Sequence, residues 1–341
     1  MFEGFFGNAG AVEALEQMIR SGRIPQTLLL AGPEGVGKAT LARRFAAAVL
    51  PDGRRVEADD LSLPDNQAIL AEREKWPAEH RVQDPLLFGA HPDFLTFPPD
   101  GPLRQISIQQ MRLLKERAQF APLRGHRRVF LVDQADRANE QAANSLLKTL
   151  EEPPPYLVLI LTAENPYDLL PTIRSRSVIL HLAPLSQAEI AAFVKQRRLS
   201  DPERRAALAN GSPGAAISLD LEAWDRRRAA MLALVKTACG ATPFAAWAPY
   251  AEKVAAARTE KLDAYFKVLY SLLEDLLQVH ARGCDAPLRN IDLRGEYQAL
   301  APRLTFDWLA RATARVDEIA GLVRRNIQKS IALDALLLDL R

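Results

Sequence analysis

The 341-residue sequence has only two cysteines, Cys239 and Cys284. Neither stands at metal-ligand spacing from another cysteine, so neither a zinc module nor a disulfide framework is expected, and a reducing, cytoplasmic setting fits. No run of 18 apolar residues occurs, which argues against a membrane-spanning helix. Met1–Gly10 lacks the basic start of a secretory signal. The net charge is only +2, so nothing global demands a nucleic-acid partner or an anionic membrane. His91 and His126 fall in turns with no ligand partner nearby, and no metal site is expected.

What is present describes a soluble globular chain: 48% hydrophobic and 25% charged residues. Its length calls for two or three domains. Ala11–Arg20 has apolar residues at helical spacing and ends at Gly22. Thr27–Ala31, TLLLA, is a short buried strand. Gly32-Pro33-Glu34-Gly35-Val36-Gly37-Lys38-Ala39-Thr40 follows it and opens a helix over Leu41–Leu50. Strand, glycine-rich loop and helix is the setting of a phosphate-binding loop, whose backbone N–H groups and helix N-terminus face the phosphates while Lys38 reaches the outer ones. In that reading Gly32, Gly35, Gly37, Lys38, Ala39 and Thr40 form a degenerate nucleotide site. Ala39 replaces the hydroxyl that would hold Mg²⁺, and Thr40 is turned about 100° away on the helix. These residues leave open whether the loop takes ATP, ADP or nothing.

Pro51–His80 is polar, with Asp59-Asp60 and Glu72-Arg73-Glu74-Lys75, and reads as a solvated insertion, partly helical near 67–75. Asp93–Phe97 is a strand. Ile106–Phe120 is an amphipathic helix with Ile108, Met111, Leu114 and Ala118 on its apolar face. Arg112, Lys115 and Arg117 fall on its solvated side.

Arg128–Ser177 carries the chemistry. The apolar run Val129–Val132 ends on Asp133, where an acid would help hold Mg²⁺. Gln134 stands where a glutamate would polarise the attacking water; an amide can orient a water but not take its proton. Asp136 is a misplaced substitute. A helix over Ala142–Leu150 stops at Pro153-Pro154-Pro155. The strand Leu157–Thr162 puts Thr162 at its tip, either as a γ-phosphate sensor or as an ordinary strand-end threonine. Arg174 and Arg176 precede the strand Val178–Leu182. Strands alternating with helices over 25–182 imply a parallel sheet covered by helices on both faces. Beyond Ala183, Ser186 and Glu189 make a capping box, and short helices run to Leu219. Residues 220–341 show no convincing strand. Leu262–His280 and Phe306–Arg341 are long amphipathic patterns, the latter with Leu322, Val323, Ile327, Ile331, Leu333, Leu336 and Leu337. The fold class is therefore α/β, then all-α.

The runs Ala142-Ala143-Asn144-Ser145-Leu146-Leu147-Lys148-Thr149-Leu150-Glu151-Glu152-Pro153-Pro154 and Leu169-Leu170-Pro171-Thr172-Ile173-Arg174-Ser175-Arg176-Ser177 resemble the bacterial DNA polymerase III clamp-loader subunits of the AAA+ class. The likeness extends to both the gamma/tau and the delta-prime branches, and covers residues 1–182 in detail; Ser177 replaces the family's final cysteine. It implies an AAA+ P-loop domain over 1–183, a small helical lid over 184–220, and a helical collar, or oligomerisation, domain over 221–341. The family's lid arginine, in a G-S-x-R motif, is Gly214 here, in Gly211-Ser212-Pro213-Gly214. With Ala39 and Gln134 that makes three departures from hydrolysis, while Arg176 keeps the finger position. The combination resembles the delta-prime branch. It implies a non-catalytic subunit that joins gamma/tau and delta and offers Arg176 in trans to a neighbour's ATP. Through the complex it would meet the sliding clamp and primed DNA. The alternative is an active gamma/tau-like ATPase. Relatives commonly carry a four-cysteine zinc module in the region of Pro51–His80, which has no cysteine here.

Overall fold

A computed structural model describes residues 2–257, 260–323 and 329–340. They divide into two compact units: residues 1–193 with 211–214, and residues 194–210 with 215–341. The first contains, in order, α1 (Ala9–Ser21), β1 (Thr27–Ala31), α2 (Lys38–Val49), α3 (Pro64–Arg73), α4 (Ala78–Gln83), β2 (Phe94–Phe97), α5 (Ile108–Ala118), β3 (Arg128–Val132), α6 (Glu140–Glu151), β4 (Leu157–Ala163), α7 (Pro171–Arg174) and β5 (Val178–His181).

The five strands form one parallel sheet in the order β2-β3-β4-β1-β5. Every residue of β1, β3 and β4 is buried, which is why these strands read as unbroken apolar runs rather than alternating ones. One face packs Leu29, Phe130, Leu159 and Leu161 against Met111 and Leu114 of α5 and Leu146 of α6. The other packs Leu28, Leu30, Leu131 and Ile160 against Leu15 of α1 and Leu41 and Phe45 of α2. Helices thus cover both faces, as expected. β5 is an edge strand, and Val178 is exposed. On α5 the fully buried residue near the N-terminus is Gln110, not Ile108. Its side chain closes a capping box with Ser107 and donates to the Leu86 and Pro98 carbonyls at 3.0 and 2.8 Å.

The insertion after α2 is ordered, and its charges are not all solvated. A 3-10 helix over Gly53–Asp59 packs Val56 into the core. Arg73, read from sequence as part of a surface charge run, is buried. His91 is also buried: its Nδ1 accepts the Asp93 N–H at 3.0 Å, and its Nε2 lies 2.7 Å from the Pro51 carbonyl. Nδ1 is thus the acceptor, and Nε2 faces a carbonyl to which it can donate.

Asp59 is 2% exposed. Its Oδ1 accepts the Ala90 N–H at 2.8 Å, while Oδ2 and the Thr96 Oγ1 are buried without a hydrogen bond. Burial pushes this carboxyl up to about 6, against the Ala90 N–H, Arg43 and the nearby Thr96, which favour its charged form. A carboxyl raised in the fold is stabilising while protonated. Its contribution is present below the unfolded value near 4 and is lost as pH rises through about 6. Asp59→Asn keeps the acceptor for Ala90 and offers an N–H toward Thr96. It should raise stability above pH 7 by up to about 3 kcal/mol and change little at pH 4. Urea unfolding at both pH values measures this; equal stability of variant and parent above pH 7 refutes it.

The second unit is helical throughout its described residues. α8 (Gln187–Gln196) and α10 (Pro213–Ser218) pass between the units, with α9 (Pro202–Ala209) between them. The expected capping box is present: the Ser186 Oγ accepts the Glu189 N–H at 3.3 Å, and Glu189 accepts the Ser186 N–H at 2.8 Å. Then come α11 (Leu221–Ala238), α12 (Ala248–Ala256), α13 (Leu262–Arg282), α14 (Arg294–Leu300), α15 (Phe306–Val323) and α16 (Lys329–Leu340). Their core gathers Leu234, Trp247, Leu269, Leu272, Ala312, Leu333, Leu336 and Leu337. Inside it, Asp275 accepts the Arg289 and Asn290 N–H groups at 2.7 and 2.9 Å, and the Tyr297 hydroxyl at 3.1 Å. Burial, then the Asp275 carboxylate, hold that hydroxyl far above its usual range. Of the expected amphipathic pattern at the C-terminus, Ile327 and Arg341 lie outside the described residues. No helix among the described residues is long and apolar enough to cross a membrane.

Candidate functional site

Parallel packing brings the C-terminal ends of β1, β3 and β4 side by side: Leu30 pairs with Thr162 and Ala31 with Ala163, while Val132 pairs with Leu161. Ligands of open α/β sheets bind at such ends. The loop Gly32–Gly37 leaves β1 here. Gly32, Gly35 and Gly37 all have positive φ, at 153°, 76° and 102°. A Cβ on Gly32 would lie 2.1 Å from the Leu182 carbonyl oxygen, so only glycine fits. α2 begins at Lys38 with no side-chain cap, so its first N–H groups and the positive end of its dipole face the loop. The Lys38 Nζ donates to the Gly32 and Pro33 carbonyls at 2.5 and 2.8 Å. Burial pulls this ammonium below its usual range, opposed by Glu164, Asp133, Asp136 and Glu34.

The structure brings Asp133, Gln134 and Thr162 together into one lock. Thr162 is fully buried; its Oγ1 donates to Asp133 Oδ1 at 2.6 Å and accepts the Gln134 N–H at 2.7 Å. The hydroxyl expected to sense a phosphate is engaged inside the protein. Burial pushes the Asp133 carboxyl up, opposed by the Thr162 bond and by Arg43 and Lys38. Gln134 has φ 55° and ψ 54°, a left-handed conformation uncommon for a long side chain. Asp136 Oδ2 accepts the Glu164 N–H at 3.2 Å, which ties down the loop after β4.

The loop's glycines, the helix N-terminus and Lys38 fit a phosphate. One magnesium ligand is missing, since position 39 has no hydroxyl; on Asp133, Thr162 bonds Oδ1 alone. Among the described residues, no cluster of three or more His, Cys, Asp or Glu could hold a metal ion.

Residues 211–214 sit on this same loop. The Gly214 N–H donates to the Gly35 carbonyl at 2.8 Å, and the Ser212 Oγ to the Glu34 carbonyl at 3.1 Å. A Cβ on Gly214 would lie 2.8 Å from the Gly35 Cα. An arginine at this position would have no room while the two segments are joined.

Arg176 is not part of this cradle. It follows α7, which is anchored by the buried Ile173, and its N–H bonds the Ile173 carbonyl at 3.2 Å. Its Nη1 donates to the Thr172 carbonyl at 3.2 Å, and its Nη2 lies 3.5 Å from Glu151 Oε1. The side chain is 38% exposed. The Arg174 guanidinium instead lies 4.7 Å over the Tyr167 ring. The sequence reading missed Arg43: buried on α2, it pairs with Asp60 at 2.5 Å. Only its place one turn past Thr40 on α2 could have hinted at this.

The family model described as DNA polymerase III, delta subunit, matches residues 7–186. The delta-prime subunit of Pseudomonas aeruginosa is 35% identical over 214 residues, covering 61% of this chain and 60% of that protein. The Escherichia coli delta-prime subunit is 32% identical over 221 residues, covering 64% of each. The gamma subunit of Buchnera aphidicola from Schizaphis graminum is 30% identical over 195 residues, or 57% of this chain and 48% of that one. The chain thus matches less than two thirds of the length of these relatives. Because the family match spans more than half of its residues, the chain belongs to the DNA polymerase III delta-subunit family, as its likeness to the delta-prime branch anticipates.

Proposed function

We propose that this chain is a non-catalytic, delta-prime-type subunit of the DNA polymerase III clamp loader. It assembles with gamma/tau and delta, and places Arg176 against the ATP bound by a neighbouring gamma/tau subunit. The observation that carries the non-catalytic half is Gly214, seated against Gly35 with no space for a Cβ. A lid arginine cannot act on a γ-phosphate from there, and neither Ala39 nor Gln134 supplies what is missing.

Arg176 supports the other half. It is exposed, always charged and free of any bond to the chain's own phosphate loop. A guanidinium brought to a neighbour's γ-phosphate neutralises charge that develops as the phosphoryl group leaves. The AAA+ region over 1–183 and the lid over 184–220 would carry this finger, with 221–341 as the collar segment. Ile331 and Leu338, seven residues apart on α16, are 59% and 63% exposed, an apolar stripe suited to neighbouring helices. ATP bound by the neighbours would then hold the assembly in the state that opens the sliding clamp on primed DNA, and hydrolysis would release it.

The isolated chain should bind nucleotide weakly or not at all and show no Mg²⁺-dependent ATP turnover. Steady-state phosphate release by the purified protein, with and without primed DNA, measures this. Turnover that Lys38→Ala abolishes would replace this reading with that of an active gamma/tau-like ATPase.

A further inference from the structure

Resting on the arginine-finger reading, we propose that Glu151 is a positioning residue for Arg176, orienting the finger before a neighbour's nucleotide reaches it. Glu151 is the last residue of α6, so its carboxylate sits beside that helix's C-terminal carbonyls, where the dipole adds negative potential. Its Oε1 lies 3.5 Å from the Arg176 Nη2, and the Thr172 carbonyl accepts from Nη1 at 3.2 Å. The two contacts reach the guanidinium from different elements, α6 and α7. Together they favour one direction of the long side chain.

A guanidinium has five N–H donors. These two contacts leave Nε–H and further N–H groups of the fork for a phosphate oxygen. An arginine that is loose before docking must give up its rotamer freedom as it meets the phosphate; one already oriented gives up less. Glu151 and Arg176 are both substantially exposed, at 51% and 38%. The pair is therefore weak, and it can yield to the stronger attraction of a triphosphate. Glu151 acts through Arg176 and need not touch the nucleotide.

The test uses the complex reconstituted with the gamma/tau and delta subunits of the same organism. DNA-stimulated ATP turnover is measured for E151A, E151Q, R176A and the E151A/R176A double variant. E151A should lower kcat by about three- to tenfold with KM for ATP unchanged, a fraction of the rotamer freedom an arginine carries. E151Q keeps the side chain's length and an oxygen facing the guanidinium but not the charge, and should restore part of the loss. In the R176A background E151A should add nothing, because contacting residues that act as one are not additive. Parental kcat in E151A, with R176A impaired, overturns the role of Glu151 and leaves the finger standing. The same fractional loss from E151A in both backgrounds also overturns it. Unchanged turnover in R176A overturns the finger itself, and Glu151 with it.

Discussion

Replacing Arg176 by alanine is expected to leave assembly intact and to slow the complex's DNA-stimulated ATP turnover by at least about tenfold, with the 10³–10⁵ measured for arginine fingers of GTPases as the ceiling. That ceiling corresponds to about 4–7 kcal/mol of transition-state stabilisation. The stability cost should be small, because the ion pair with Glu151 and the bond to the Thr172 carbonyl are both exposed. The loop's shape is set by the buried Ile173 and the backbone bonds of α7, which the substitution does not touch. Arg176→Lys separates charge from geometry. An ammonium keeps the charge but not the planar fork, so it should recover only part of the rate. Co-elution of the variant with gamma/tau and delta on size exclusion checks assembly, and single-turnover hydrolysis checks the chemistry. A complex that assembles and turns over at the parental rate removes Arg176 from the mechanism.

The sheet was legible because β1, β2, β3 and β4 are buried throughout. TLLLA and VFLV are continuous apolar runs, and each is found where its run lies. β5 is an edge strand, yet its sequence reads like the interior ones, since strand order is a long-range property. The glycine-rich loop, Asp133, Gln134 and Thr162 lie together, because parallel packing brings the ends of β1, β3 and β4 side by side. Their bonding was not legible. Nothing in the spacing says that Thr162 points its hydroxyl at Asp133, or that Gly214 lies on Gly35. Those are contacts over 29 residues and over most of the first unit. Polar residues of the insertion and of α2 misled for the same reason. Asp59, Arg73 and Arg43 look solvated in sequence and are buried in the fold, and their partners lie far along the chain or around a helix.

Arg73 offers the largest expected effect on the fold. Its Nε and Nη2 meet the two carboxylate oxygens of Asp100 at 3.1 and 2.8 Å, and Nη1 meets Asp84 at 3.2 Å. Nη2 also donates to the Asp84 carbonyl at 2.5 Å, and the guanidinium stacks 4.6 Å over Trp76. Its side chain is 5% exposed and that of Asp100 is 7%. The surrounding segment has no apolar core: α3 buries only Asn66 and Arg73, and α4 buries nothing. The side chain of Asn66 bridges the Ala58 and Asp60 carbonyls at 2.9 and 2.8 Å, so both buried side chains of α3 are polar staples. Removing Arg73 leaves the Asp100 carboxylate buried without its cation, a loss of about 3–5 kcal/mol for such pairs. With so little apolar burial holding it, the segment should open locally before the sheet does. Arg73→Met should therefore raise proteolysis within 61–83 by about 10²–10³-fold while changing the global unfolding midpoint little. Arg73→Lys keeps a charge but loses the two-pronged contact, and should fall between. Arg73→Met with Asp100→Asn removes the stranded charge and should recover much of the protection, since replacing both members of a buried pair costs far less than breaking it. Hydrogen exchange and limited proteolysis read all three variants. Parental protection in Arg73→Met would show that the insertion is held by something other than this guanidinium.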